Sequence, residues 1–427
     1  MSNDSIDSTN LFPSLGSLRR SSLSKAARKI NTWFVDGGRF DLVTLGVLQA
    51  TLLAAAAGLL VYQLARLSLF FGVLGASFVF FVLADSTHAC FLNSLFTEPA
   101  GLIALVALAG LILPLPRVSR HPRWSCIYVG TFLLATLFLS FAKIQYAPLA
   151  FPLGIACVIA TRQSRRHFQI GSALLVALTI VASARDLDRR VPGDLWRANL
   201  YNLVFSDILP YAEDPSQVLR ELGLSDEFRA FSGTYAYHPK SGRWIPGLRK
   251  ELDRMGRLGL VTFLARHPKY LFSMLSVGRK AQGIWNSRLD YLGNFTQEPG
   301  IAPRAQSWAF AGWSSLRSRL FGSSLFSFGL LLGVSSILAV WRLIKTWNSD
   351  RETIYWLQLL LVFVAGGQLL ICLLGEGTYE LAKHFFLGRV AADALCFFLL
   401  GYLIRGTAIL IDSAASNRRS AAGGRFQ

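Results

Sequence analysis

Charge is scarce in this chain: Asp, Glu, Lys and Arg make up 16% of its 427 residues. An average soluble domain carries about 25%, so a fully solvated globule is excluded. Carboxylates are the rarer sign, 25 against 43 Lys and Arg, which leaves a net charge of +18. The six histidines show no HExxH spacing and the five cysteines no CxxC, so neither a histidine-built metal centre nor a disulfide framework is expected. Walker, Rossmann and GxSxG motifs are all missing, which removes nucleotide chemistry on a soluble domain. No internal repeat is visible, against an inverted-repeat transporter, and the N-terminus has no cleavable signal pattern.

What the chain has instead is apolar length. Hydrophobic residues make up 52% and the mean hydropathy is +0.42. Nine apolar stretches stand out: Leu42 to Leu64, Leu67 to Ala84, Gly101 to Leu115, Cys126 to Ala142, Ala147 to Thr161, Phe168 to Ala184, Leu325 to Leu343, Ile354 to Leu374 and Phe385 to Ile404. Against about 20 apolar residues per span, they predict an all-α polytopic membrane protein of about nine transmembrane helices. Four of them hold only 15 to 17 residues, short for a hydrocarbon core about 30 Å thick, and point to a cavity or a thinned region.

The excess positive charge sits beside the helix ends, which is a topological pattern and argues against nucleic acid as partner. Arg117, Arg120 and Arg123, then Arg162, Arg165 and Arg166, then Arg342, Lys345 and Arg351, then Arg405, Arg418, Arg419 and Arg425 fall on one side. By the positive-inside rule that side is the cytoplasm. The chain then divides into a polar, partly disordered tail (1–40), six helices (41–184), an extracytoplasmic region of mixed character (185–324), three helices (325–404) and a basic cytoplasmic tail (405–427). The basic N-terminal tail disobeys this parity, a defect that would follow if the pair Leu42 to Ala84 is not two full spans or, the favoured reading, if a helix is missing upstream of Met1. Within 185–324, the piece GLVTFLARHPKYLFSMLSVGRK reads as an amphipathic helix along the membrane surface, with Arg266, His267, Lys269, Arg279 and Lys280 on its basic face.

Ionisable groups at membrane depth usually mark chemistry. The first outer loop, 85–99, carries Asp85 and Glu98, and both fit either a general base or a helix cap. AKIQYAPLA places Lys143 and Gln145 in a short turn, where a lysine can neutralise a phosphate or snorkel to the interface. LGEGTYELAKHFFLG crowds Glu376, Glu380, Lys383 and His384 before the last helix, an arrangement suited to an anion. Inside that helix, Arg389 and Asp393 stand at i and i+4, the spacing of an intrahelical ion pair.

FLNSLFTEPAGL, AKIQYAPLA, RLDYLGNFTQEPGIAPRAQSWAFAGWSSLRSRL and GEGTYELAKHFFL together resemble motifs of bacterial glycan-biosynthesis hexose transferases (the WsfD-like family), within the GT-C superfamily of integral-membrane glycosyltransferases. The resemblance implies a hexosyltransferase of the bacterial inner membrane. It would move a sugar from a polyprenyl-phosphate carrier to a glycan or lipid-linked acceptor on the extracytoplasmic face. It assigns Asp85 and Glu98 as catalytic carboxylates, and Asn93, Lys143, Gln145, Glu376, Lys383 and His384 as substrate-binding residues. Glu376 stands where the pattern has Asp. No metal ligand is assigned, although a carboxylate pair suits Mg²⁺ or Mn²⁺. The rival readings are a transporter or flippase and a polymerase or ligase of lipid-linked glycans.

Overall fold

In the computed structural model, residues 42–118, 122–162, 173–182, 193–276, 309–322, 324–347, 351–378 and 380–423 are described, with single positions at 29, 170, 305 and 349 and the pair 284–285. The N-terminal tail and Phe168, Arg279 and Lys280 lie outside the described residues. Every element among the described residues is helical, as an all-α polytopic membrane protein requires.

The bundle begins with α1 (Leu42–Leu67), which turns at Ser68 into α2 (Leu69–Phe78). Ser68 Oγ accepts the Phe71 N–H and caps α2. Here glycine is needed for close approach, since a Cβ on Gly72 would stand 2.7 Å from Ala65 Cβ. A π-helical stretch, Val79–Leu83, continues α2 to Asp85, after which the chain bends by 66° into Ser86–Asn93. Then follow α3 (Glu98–Ile112), α4 (Pro122–Ala142) and α5 (Ala150–Ala160), which a 3-10 turn over Ile144–Leu149 precedes. Pro148 explains that turn, because it has no N–H for a regular helical ladder.

A second apolar core gathers in 193–276. It is built from α6 (Gly193–Tyr201), α7 (Pro215–Glu221), α8 (Pro246–Arg266) and α9 (Pro268–Ser276) around Tyr201, Phe205, Leu219 and Met274. The amphipathic piece is not one helix, because Pro268 separates α8 from α9 and Gly256 (φ 60°) kinks α8. Nor is its basic face wholly turned to lipid, since His267 pairs with Glu221 at 2.7 Å.

The chain returns through α10 (Gly312–Phe321), α11 (Leu325–Lys345), α12 (Glu352–Glu376) and α13 (Phe386–Gly423). Among the described residues, five helices are long and apolar enough to cross a bilayer, the bent pair 69–93 makes a sixth, and three apolar helices are shorter. The packing of α1 on α3, α3 on α4, α11 on α12 and α12 on α13 builds the main core. The two ends differ chemically. One carries Asp85, Glu98, Lys143 and His384, and the other the ion pair of Arg162 with the buried Glu352 at 2.7 Å.

Candidate functional site

Each polar group of the first end stands where an apolar run stops. Glu98 opens α3, with Pro99 behind it in the first turn, so its carboxylate lies at the positive end of the helix dipole. Lys143 follows the last residue of α4 in extended conformation and precedes the 3-10 turn. His384 ends the short turn Leu381–His384 that leads into α13. Three segments far apart in sequence thereby deliver their side chains to one place.

The Lys143 ammonium donates to Glu98 Oε1 at 2.7 Å and lies 3.1 Å from His384 Nδ1. The ring presents its other nitrogen, Nε2, to the preceding acid, Glu380, whose Oε2 lies at 3.8 Å. Gln145 Oε1 lies 3.2 Å from His384 Nδ1, and the Gln145 carbonyl is held by Gln368 Nε2 at 2.7 Å. Lys383 reaches Glu380 at 3.4 Å and stands over the Phe96 ring at 4.4 Å. Burial grades through the cluster: Glu98 is 1% exposed, Lys143 14%, Lys383 19% and Glu380 32%. A dry carboxylate thus forms the floor, and cations form a rim open to an anionic group.

Asp85 has a different neighbourhood. Its Oδ1 accepts from the Thr87 N–H and hydroxyl, and its Oδ2 accepts the Ser314 N–H at 2.9 Å. Three donors stabilise the carboxylate form and fasten α10 onto the bundle. About one turn further along, Arg317 of α10 pairs with Asp393 inside α13, both fully buried. The expected Arg389–Asp393 pairing is thereby corrected: the ion pair at Asp393 comes from α10, while Arg389 donates to the carbonyls of Ile284 and Ala382. A packed interior satisfies these charges across elements, which spacing along one helix does not reveal.

The structure therefore brings together Glu98, Lys143, Gln145, Lys383 and His384. Asp85 lies apart, among Thr87 and Ser314. Asn93 is exposed, its Oδ1 3.0 Å from where a Cβ on Gly46 would sit. Glu376 closes α12, and its side chain lies outside the described residues.

The model of the YfdI N-terminal transmembrane domain matches residues 8–421. The chain belongs to that family. No curated protein and no solved structure gives a significant match. The YfdI-type transmembrane domain thus covers the bundle, the 193–276 unit and the polar cluster alike, as one multi-pass membrane protein.

Two buried residues that tie elements together in this YfdI-family chain were not read from its sequence. Buried Asp207 accepts from the Thr378 N–H and hydroxyl, each at 2.7 Å, and so holds the turn before His384. A Cβ on Gly377, at φ 72°, would collide with that carboxylate, so glycine is required there on two counts. Glu380 adopts φ 48°, a strained backbone for a non-glycine residue, in the same turn. The signal in the sequence was a lone acid inside the apolar run LVFSDIL. Arg317 is the other, and it lies in the motif WSSLRSRL. For Mg²⁺ or Mn²⁺ the fit is poor: among the described residues no three His, Cys, Asp or Glu side chains converge, and Asp85 and Glu98 each have protein donors.

Proposed function

We propose that this protein is a hexosyltransferase of the bacterial inner membrane, drawing on a polyprenyl-phosphate sugar and acting at the extracytoplasmic end of the bundle. The observation that carries the reading is the convergence of Glu98, Lys143 and His384 from segments 45 and 241 positions apart. Such a site has what transfer from a lipid phosphate needs. Lys143, Lys383 and His384 are placed to offset charge on the departing phosphate. A carboxylate, Glu98 or Asp85, takes the proton from the acceptor hydroxyl as the new glycosidic bond forms and the sugar–phosphate bond breaks. Glu98 is the stronger candidate, because it borders the cations while Asp85 is occupied in fastening α10. When the donor phosphate draws Lys143 away, Glu98 loses the partner that holds it ionised and becomes more basic.

A transporter needs charges lining a path through the bundle. The buried Arg317, Arg389 and Asp393 are tied to one another's elements and to the Ile284 and Trp285 carbonyls, which favours a fastening role. The test is glycan profiling of cells carrying the intact protein, Glu98→Gln or Asp85→Asn at equal membrane abundance. Loss of one hexose with Glu98→Gln supports the reading, and unchanged glycans with both variants overturn it.

A further inference from the structure

The opposite end of the bundle carries a feature that sugar transfer does not use. An apolar crevice opens between α1, α2, α3, α12 and α13, with Leu64, Phe78, Leu357 and Ala394 among its walls. A second, smaller hollow adjoins it, and Phe71, Leu74 and Phe398 line both. The second hollow ends at Arg342, Arg405, Tyr355 and Tyr402. The two together form one passage, charged at its mouth and apolar along its depth.

Position at the end of an apolar run accounts for the charge of both arginines but not for the state of Arg342. Arg342 is held over the Trp341 and Tyr402 rings at 4.7 and 5.7 Å, and its Nε is shut off from solvent without a hydrogen-bond partner among the described residues. The Tyr402 hydroxyl is already committed to Gln358 Oε1 at 2.8 Å. Arg405 is exposed one turn beyond Tyr402, and no carboxylate is described within ion-pair distance of either arginine. A guanidinium left in this state wants a phosphate, whose oxygens match its donors. A soluble phosphate has no use for the apolar depth, and an uncharged lipid has none for the arginines.

We propose that this passage is a binding site for one anionic phospholipid, with its phosphate at Arg342 and Arg405 and an acyl chain in the crevice. Basic pockets between transmembrane helices hold acidic head groups in this way. The bound lipid would bridge α2, α11, α12 and α13 at the end opposite Glu98. It is therefore a structural ligand and not the sugar carrier, whose phosphate belongs beside Lys143.

The test is native mass spectrometry of the full chain released from bilayers of phosphatidylglycerol and phosphatidylcholine with identical acyl chains. One phosphatidylglycerol is expected to stay bound in preference to phosphatidylcholine. Arg342→Gln with Arg405→Gln should weaken its retention about 25-fold, at about fivefold per arginine. Ala394→Phe, which narrows the crevice with both arginines in place, should also release it. Equal retention of the two lipids, or retention unchanged in both variants, overturns the proposal. So does displacement of phosphatidylglycerol by an equimolar polyprenyl phosphate, which would assign the passage to the carrier instead.

Discussion

Lys143 stands between Glu98 and His384, 2.7 Å from the carboxylate oxygen and 3.1 Å from the ring nitrogen. One ammonium therefore joins the start of α3, the end of α4 and the turn before α13. The same contacts that hold three segments together also leave the cation at the rim of the site. Stability and chemistry are coupled there, and the coupling can be measured.

Removing Lys143 alone strands a buried carboxylate. Lys143→Met is expected to destabilise the protein by about 3 kcal/mol, as breaking one side of a buried ion pair does. Adding Glu98→Gln should restore about 1 to 3 kcal/mol of that loss, a coupling seen only between contacting residues. Thermal unfolding in detergent of the two single variants and the double variant checks this.

Asp207 acts on the cluster through Thr378. Asp207→Ala removes two hydrogen bonds to the turn and should cost about 1 to 3 kcal/mol locally. Amide exchange over residues 377–384 should quicken, with the 193–276 core still protected. Gly377→Ala should be more damaging than Ala substitution at an ordinary turn glycine, and Asp207→Ala should relieve the steric part of it.

Arg317 and Asp85 fasten α10 from two sides. Arg317→Met leaves the buried Asp393 without its ion-pair partner from α10 and should open residues 309–322 to limited proteolysis. Arg317→Met with Asp393→Asn should recover part of the protection. Equal protease resistance of wild type and Arg317→Met would contradict the fastening role.

The apolar runs made the bundle legible, down to the break at Asp85 and the short segment after Lys143. They did so because a bilayer demands length and apolarity that few other settings do. Glu98, Lys143 and His384 stood out one by one as ionisable groups at the edges of those runs. Their mutual contact did not, since it depends on how α3, α4 and α13 pack. The Arg389–Asp393 expectation failed for the same reason: spacing within a helix says nothing of Arg317 arriving from another element. Asp207 escaped because its partner, Thr378, lies 171 positions away and only the packing brings the two together.

The orientation of the bundle is checked by single cysteines on a cysteine-free background. Glu213→Cys, in the 193–276 unit, should react with an impermeant maleimide added to intact cells. Ser349→Cys, in the α11–α12 connection, should react only after lysis. The reverse pattern would place the Glu98–Lys143–His384 cluster on the cytoplasmic face.

The most direct measurement is transfer of labelled hexose from a polyprenyl-phosphate donor by the purified protein in liposomes, comparing wild type, Glu98→Gln and Lys143→Met. Folded Glu98→Gln should fall by about 10² to 10⁴ in kcat, the range general acid–base groups contribute. Folded Lys143→Met should lose about 10²-fold, as removal of one charge-stabilising donor does. Wild-type transfer with both variants unimpaired would contradict the assignment of this cluster as the site of the reaction.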